Sequence, residues 1–357
     1  MSGGVDSTVA TYLLREQGYE VIGVSLKLWE GEDKTPTHKT CCSYQDVMDA
    51  RSVCEKLGIP FYAFNYKKKF EEKVVQPFIE GYKQGITPNP CILCNQFVKF
   101  DLLLEHTKTL GADFLATGHY ARIEKDDAGF FHLKKAVDET KDQSYVLYRL
   151  TQKDLAKILF PLGGYTKKQV REIAAKNNLP TATKHESQDI CFIPKRDHAE
   201  FIEKYDQSFK PQAGFFVDAK GKVLGKHEGV HHYTVGQRRG LGIGFGERTY
   251  VIHINPNTAE VVLGAKEDLY SGHLRANDVN WVLPETCIQF PLESSVKVRY
   301  QKNDIPALIE PTGIEDEVAV KLSSHNSAIS PGQSVVFYRG EEVLGGGWIQ
   351  KNTEYLV

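Results

Sequence analysis

No run of about 18 consecutive apolar residues occurs in the 357-residue chain, so no segment is available to span a membrane as a helix. Net charge is nearly absent as well: 44 Lys and Arg stand against 46 Asp and Glu, a balance of -2. Bulk charge therefore supplies no attraction to nucleic acid, and any recognition of RNA must rest on shape and on local basic patches. The candidate patches are Lys67-Lys68-Lys69, Lys134-Lys135, Lys167-Lys168 and Arg238-Arg239, each of which reads first as a solvated face. A signal-peptide pattern is missing and the cysteines number seven, an odd count, which points to a reducing compartment, the cytoplasm, and to thiols kept for chemistry or metal. What is present is ordinary for globular protein. Hydrophobic residues make up 41% and charged residues 25%, and the length suffices for two or three domains.

The chain opens on Met1-Ser2-Gly3-Gly4-Val5-Asp6-Ser7-Thr8, followed by Val9, Tyr12, Leu13 and Leu14 at helical spacing. Adjacent glycines between small hydroxyl residues let a backbone turn aim several N–H groups at one anion, which makes a phosphate cradle at a helix N-terminus. The loop has neither the G-x-x-x-x-G-K-[ST] of a Walker loop nor the G-x-G-x-x-G of a dinucleotide fold. It resembles the S-G-G-x-D-S loop of the ATP pyrophosphatases, which holds the pyrophosphate end of ATP while the alpha-phosphate is attacked. Asp6 suits either a Mg2+ ion on that pyrophosphate or a helix cap.

After the loop a helix ends near Gly18, and Val21 to Leu26 reads as a buried strand. Asp46 to Leu57 is helical in pattern, Pro60 to Asn65 extended, Lys67 to Gly85 a charged amphipathic helix, and Ile92 to Leu110 helical again. Asp113 to Thr117 reads as another buried strand, Phe130 to Val137 as a hairpin, and Gln143 to Leu150, Lys167 to Asn177 and Ala199 to Tyr205 as helices. This alternation implies an α/β domain with a mostly parallel sheet, helices on both faces and the ligand at the carboxyl ends of the strands. A loop of this type follows a strand, and no strand precedes Met1. The expectation is that a chain beginning here folds poorly or binds ATP weakly, since neighbouring strands would keep unpaired edges.

Beyond about residue 206 the texture is all-β, with Phe215 to Val217, Tyr250 to Ile252, Val261 to Leu263, Val296 to Val298, Ala319 to Lys321 and Ser334 to Phe337 separated by turn residues. The expected domains are 1–206, a central β domain at 207–270 and a C-terminal β-barrel at 271–357.

Thr87-Pro88-Asn89-Pro90-Cys91-Ile92-Leu93-Cys94-Asn95 places a C-x-x-C at the start of a helix, where the dipole favours thiolate. A third cysteine stands in Glu186-Ser187-Gln188-Asp189-Ile190-Cys191-Phe192-Ile193. By itself the C-x-x-C serves redox chemistry or metal, and Cys191 reads as a buried small hydrophobe. Cys41, Cys42 and Cys54 lack a fourth partner at zinc spacing and read as loop or buried thiols, Cys287 has no partner signal, and His227, His231 and His232 read as surface or RNA-facing residues without carboxylates at ligand spacing.

Taken together, these residues are similar to the bacterial tRNA-uridine 2-sulfurtransferases (2-thiouridylases), from Ser2 to about Gln350. Further markers are Leu26 to Glu30, Cys41-Cys42-Ser43, Thr117 to Arg122, Lys141-Asp142-Gln143-Ser144-Tyr145, Tyr233 to Arg238, Gly240 to Gly244 and Pro331-Gly332-Gln333. The resemblance implies ATP-dependent adenylation of the C2 oxygen of a wobble uridine, then sulfur transfer giving 2-thiouridine, AMP and pyrophosphate. It also implies ATP and Mg2+ as cofactors, and tRNA and a sulfur donor or relay protein as partners. In this family Cys94 corresponds to the nucleophile, Cys191 to the persulfide carrier, and Asn89, Pro90 and Cys91 face the target base. Ser2, Gly3, Gly4, Val5, Asp6, Ser7, Leu26 and Gly118 match nucleotide contacts; His119, Lys141, Asp142, Gln143, Arg299, Tyr300 and Gln333 match tRNA contacts.

One branch of the family carries aspartate where Cys91 stands. With cysteine there, Cys91, Cys94 and Cys191 match a set of three thiolates able to hold a 4Fe-4S cluster with one iron open. A persulfide on Cys191 resolved by Cys94 and a cluster on the three thiolates are thus two open mechanisms. Two further readings of the whole chain are another ATP pyrophosphatase-type ligase adenylating a small substrate, and an inactive RNA-binding relic.

Overall fold

The computed structural model describes residues 1–29, 44–184, 190–193, 197–242, 248–300, 303–324 and 328–351. Cys41 and Cys42, weighed above as metal ligands, lie outside the described residues, as do Glu186 to Asp189 and Gly244. The chain divides into two compact units: 1–74, 91–196 and 341–343 form the first, and 75–90, 197–340 and 344–357 the second.

In order, the elements are α1 (Val5–Glu16), β1 (Gly23–Lys27), α2 (Tyr44–Leu57), β2 (Phe61–Asn65) and α3 (Lys67–Phe70), then α4 (Gln76–Lys83), which belongs to the second unit. They continue with α5 (Pro90–Leu93), α6 (Leu102–Leu110), β3 (Leu115–Ala116), the hairpin β4 (Ala121–Lys125) to β5 (Phe131–Lys135), α7 (Gln152–Leu155), β6 (Ile158–Leu159) and α8 (Lys167–Lys176). The expected parallel pairing is present: β1 runs beside β2, Gly23 opposite Phe61, and β3 beside β6, Leu115 opposite Ile158. Val5, Val9 and Ala10 of α1 meet Val53 and Leu57 of α2 and Val170 and Ala174 of α8 in one buried cluster. Burying each Val or Leu contributes roughly 1.5–3 kcal/mol, so the opening loop is attached to a helix that the core holds firmly.

Three expectations are corrected. The hairpin foreseen over Phe130 to Val137 is a single strand there, β5, and its partner is the preceding β4. The strand foreseen over Asp113 to Thr117 shrinks to Leu115–Ala116, half-buried, with Asp113 and Phe114 exposed. The helix foreseen over Gln143 to Leu150 is one 3-10 turn, Ser144–Val146. There the Asp142 carboxylate accepts the Ala136 N–H at 3.1 Å and both the N–H and the hydroxyl of Ser144, at 3.2 and 2.8 Å, which pins a turn in place of a helix. Tyr145, Leu147, Tyr148 and Leu150 are all buried, so the apolar spacing marked core on every side instead of one helical face.

The second unit contains α9 (His198–Tyr205) and the strands β7 (Gly214–Asp218), β8 (Val223–His227), β9 (Tyr250–Asn255) and β10 (Glu260–Gly264), which form a four-stranded sheet in the order β8-β7-β10-β9. After it come β11 (His273–Trp281), β12 (Leu292–Lys297), β13 (Ile305–Pro311), β14 (Val318–Leu322), β15 (Ser334–Arg339) and β16 (Glu342–Ile349). They run in the order β11-β14-β13-β12-β15-β16, and β11 pairs with β16, closing a six-stranded barrel without a free edge. Val296, Ile309, Val335 and Phe337 fill it. The reading from sequence passed over β8, β11, β13 and β16. In β16 the glycine run hides the strand, and packing demands it: a Cβ on Gly345 would lie 2.4 Å from the Asn280 carbonyl oxygen. Among the described residues no helix is long and apolar enough to cross a membrane.

Burial pushes the imidazoles of His119, His227 and His253 below their ordinary value of 6.5, while His132 is raised because hydrogen bonds to Asp126 and Glu342 outweigh its own partial burial. A depressed histidine costs stability as pH falls below 6.5, since the unfolded chain then takes up the proton first; His132 acts in the opposite sense, adding stability at low pH that fades as pH rises through its folded value. Burial depresses His198 and His231 as well, so among the described residues five lowered rings against one raised predict a lower denaturant midpoint at pH 5.5 than at pH 7.5. Each ring held neutral one pH unit below its ordinary value contributes about 1.4 kcal/mol to that drop. An unchanged or higher midpoint at pH 5.5 would refute it.

Candidate functional site

The opening loop is shaped by backbone that only glycine tolerates. Gly3 has φ +68°, and a Cβ there would lie 2.2 Å from the carbonyl oxygen of Asp46. Gly118 presses against the loop from the other side, where a Cβ would meet the Asp6 carbonyl carbon and the Ser7 nitrogen, both at 2.8 Å. The Ser7 hydroxyl donates to Gly4 O at 3.1 Å and accepts the Ser2 N–H at 3.2 Å, which curls the turn upon itself. No side-chain hydrogen bond caps α1, which leaves its first-turn N–H groups available to an anion. Leu26 is half-buried in β1, and the Met1 amine donates to the Val24 carbonyl of that strand.

Two lysines complete this end of the unit, Lys167 from a patch that read as solvated and Lys184, which carried no sequence signal. Lys167 Nζ donates to both carboxylate oxygens of Asp6, at 2.6 and 2.8 Å, and Tyr120 Oη donates to the same group at 2.7 Å. Asp6 is therefore an ion-pair partner and not a helix cap. Lys167, read as half of a solvated patch, is only 9% exposed. Lys184 Nζ donates to Gly3 O at 2.9 Å, Asp46 Oδ1 at 2.6 Å and Asp49 Oδ2 at 2.5 Å. Its partial burial opposes the charge, but the two carboxylates outweigh burial and hold the ammonium above its usual value. Only spatial convergence reveals these lysines, since Lys167 and Lys184 stand far from the loop in sequence.

Cys91, Cys94 and Cys191 sit in the same unit. Pro90 starts a helical stretch that widens into a π-helix over Cys94–Asp101, a deviation often found at functional sites, and Cys94 is its first residue, 8% exposed. The neighbouring Asn95 donates to the Val146 carbonyl at 3.1 Å while its Oδ1 is buried without a partner. Cys191 is half-buried in a turn, and the adjacent Phe192 packs edge-on to Phe70 at 5.6 Å and against Trp29 at 6.1 Å. α3, which carries Phe70, packs against the π-helical stretch that starts at Cys94. An apolar wall thus runs from the Cys191 turn toward the Cys94 helix. Cys91, by contrast, is exposed. Three thiolates on one cluster must turn to a common point, and among the described residues Cys91, Cys94 and Cys191 do not gather within metal-ligand distance of one another, so this arrangement does not fit a cluster. Cys54 is fully buried, and burial pushes its thiol up, as an inert core cysteine requires.

His119 is buried, its imidazole held well below the usual value by burial and then by Lys99, and its Nδ1 lies 2.8 Å from the Thr117 hydroxyl. Asp142 is buried in the turn described above, and Gln143 accepts the Tyr120 N–H at 3.0 Å, whereas Lys141 is half-exposed.

In the second unit, Pro331-Gly332-Gln333 grips the backbone just ahead of Asn89 and Pro90. Thr87 N–H donates to Pro331 O at 3.0 Å and Gln333 Nε2 donates to Thr87 O at 2.8 Å. Gly332, at φ +84°, leaves no room for a side chain, since a Cβ would lie 1.9 Å from Ile86 Cγ2. Arg299 donates to the Ser330 hydroxyl at 2.7 Å, which donates to Val235 O at 3.1 Å, joining the Tyr233 to Arg238 segment to the barrel. Tyr300 is exposed.

Comparison with known proteins bears on this arrangement. Residues 1–195 match a family model described as a tRNA methyl transferase HUP domain, 199–265 a tRNA methyl transferase PRC-barrel domain, and 271–349 an aminomethyltransferase beta-barrel domain. The protein of Clostridioides difficile named tRNA-specific 2-thiouridylase MnmA is 48% identical over 99% of this chain and 97% of its own length. That of Carboxydothermus hydrogenoformans, of the same name, is 49% identical over 98% of this chain and 96% of its own. A third, from Geotalea uraniireducens, is 48% identical over 98% and 93%.

Proposed function

The chain belongs to the tRNA-specific 2-thiouridylase family, and from that premise we propose that it converts a wobble uridine of tRNA to 2-thiouridine at the expense of ATP. The phosphate loop, with Ser2 to Ser7, Leu26 and Gly118 around it, holds the pyrophosphate end of ATP, and Mg2+ travels with the nucleotide, because Asp6 is already engaged by Lys167. The C2 carbonyl oxygen of the base attacks the alpha-phosphate, pyrophosphate leaves, and a poor leaving group becomes a good one. A donor or relay protein loads Cys191 as a persulfide. Its terminal sulfur attacks C2, the C2–O bond breaks and AMP departs. The Cys94 thiolate then cleaves the remaining sulfur–sulfur bond, releasing the thione and leaving a Cys94–Cys191 disulfide for an external thiol to reduce. Water must be kept out, or hydrolysis restores uridine, and the aromatic wall of Phe70, Phe192 and Trp29 suits that task.

The observation that carries this reading over methyl transfer or a small-substrate ligase is the pair Cys94 and Cys191, one buried and one half-buried, in the same unit as the glycine-built phosphate loop. Asn89, Pro90 and Cys91 face the base, which leaves its stack to reach them. Lys141 and Tyr300 contact the tRNA, and His119, Asp142, Gln143, Arg299 and Gln333 act indirectly, since their side chains bond within the fold.

The half-reactions test it: with tRNA, ATP and Mg2+ but no sulfur source, pyrophosphate release is expected only when tRNA is present. Release driven by a small carboxylate in place of tRNA would favour the ligase. For Gln333→Ala, loss of one hydrogen bond to Thr87, worth about 1 kcal/mol, is expected to raise KM for tRNA about fivefold with ATP affinity unchanged. An unaltered KM would remove Gln333 from the account.

A further inference from the structure

We propose that the second unit holds a divalent transition-metal ion of the zinc class on Glu203, His231 and His232. Glu203 comes from α9, and the two histidines from the 3-10 turn Val230–His232, so the site would clip a helix to a loop of the β domain. Sequence spacing conceals it: the carboxylate lies 28 residues before His231 and was missed by the reading of these histidines as surface residues. In the fold, Glu203 Oε1 lies 2.8 Å from His231 Nε2 and 3.3 Å from His232 Nε2, and all three donor atoms fall within 4.8 Å of one another. Tetrahedral zinc, with ligands at roughly 2.0–2.2 Å, sets its donor atoms about 3.3 Å apart, so a small opening of the Glu203–His231 contact admits the ion.

An independent observation points to a ligand here. His232 Nε2 is buried, faces the Glu203 carboxylate and makes no hydrogen bond, although a buried ring nitrogen is costly to leave unpaired. A metal ion would satisfy it. His231 is 1% exposed in its side chain, whereas His232 at 31% and Glu203 at 42% leave a route for the ion and for a water as fourth ligand. Two imidazoles and one carboxylate form a set suited to zinc in preference to calcium or magnesium, which select oxygen ligands. The site is remote in kind from the thiols of the sulfur chemistry, and its role is structural: α9 also carries His198, on which Tyr82 of α4 stacks at 4.3 Å, just before the Thr87 to Pro90 stretch.

The test uses the full chain with Cys91, Cys94 and Cys191 replaced by serine, so that thiols do not compete, titrated with Co2+ as a coloured zinc surrogate and back-titrated with Zn2+. One Co2+ per chain is expected, with visible d–d absorption free of thiolate charge transfer, and Glu203→Gln and His232→Asn are each expected to weaken it by about tenfold or more. Since a variant could fail to fold, the melting temperature of the unsubstituted-cluster chain is read as well, and Zn2+ is expected to raise it. No Co2+ uptake, uptake unchanged in both variants, or a melting temperature indifferent to Zn2+ would each overturn the proposal and leave a metal-free hydrogen-bonded cluster.

Discussion

Cys94→Ser is expected to lower 2-thiouridine formation by at least about a thousandfold while tRNA-dependent pyrophosphate release continues. The separation follows from the order of steps, since adenylation needs the phosphate loop and the base but no thiol. Cys191→Ser should give the same loss by a different route, and the two variants are distinguishable. Without Cys94, sulfur already transferred from Cys191 stays bonded to both protein and base, so a covalent protein–tRNA adduct that dithiothreitol dissolves should accumulate; without Cys191 no adduct can form. Gel mobility under non-reducing conditions reads this directly. An adduct in Cys191→Ser and none in Cys94→Ser would invert the assigned roles. Cys91→Ala is expected to retain most activity, because Cys91 is exposed where Cys94 is buried; its complete inactivity, with iron in the parent protein, would return the cluster mechanism to the front.

The second large effect concerns the glycines that build the phosphate site. Gly3→Ala places a methyl 2.2 Å from a backbone carbonyl oxygen, in a conformation at φ +68° that itself costs about 1 kcal/mol for a residue with a side chain. Gly118→Ala drives a methyl to 2.8 Å from the Asp6–Ser7 peptide, and neither neighbour is a flexible side-chain tip that could swing away. Each substitution should displace the loop and weaken ATP by about tenfold to a hundredfold, with a smaller loss of tRNA binding, since Tyr120 links Asp6 of the loop to Gln143 only indirectly. Isothermal titration with ATP and filter binding with tRNA report the two affinities separately. Equal losses in both would mean global misfolding, and the circular dichroism melt would show it.

Much of this site could be read from the sequence because local rules wrote it. The Ser2 to Ser7 loop announces itself by adjacent glycines ahead of a helical pattern, and Cys91 to Cys94 by prolines and spacing. Pro331-Gly332-Gln333 was legible only as a marker; its work, gripping Thr87 across more than two hundred residues of chain, appears once the fold brings the two together. Lys167 and Lys184 were hidden for the same reason, and Glu203 with His231 and His232 likewise. The helix foreseen over Gln143 to Leu150 failed differently: a buried Asp142 carboxylate redirects the backbone, and tertiary burial on all sides imitates an amphipathic period. β16 was obscured because its glycines, poor strand formers in isolation, are what close packing against β11 requires.

The most direct test of the central claim is nucleoside mass spectrometry of tRNA after incubation with the purified chain, ATP, Mg2+ and a persulfide source. The account predicts 2-thiouridine appearing in step with AMP and pyrophosphate, one of each per modified base, and none when ATP is withheld. Unmodified tRNA alongside AMP release, or a methylated nucleoside in place of a thiolated one, would contradict it.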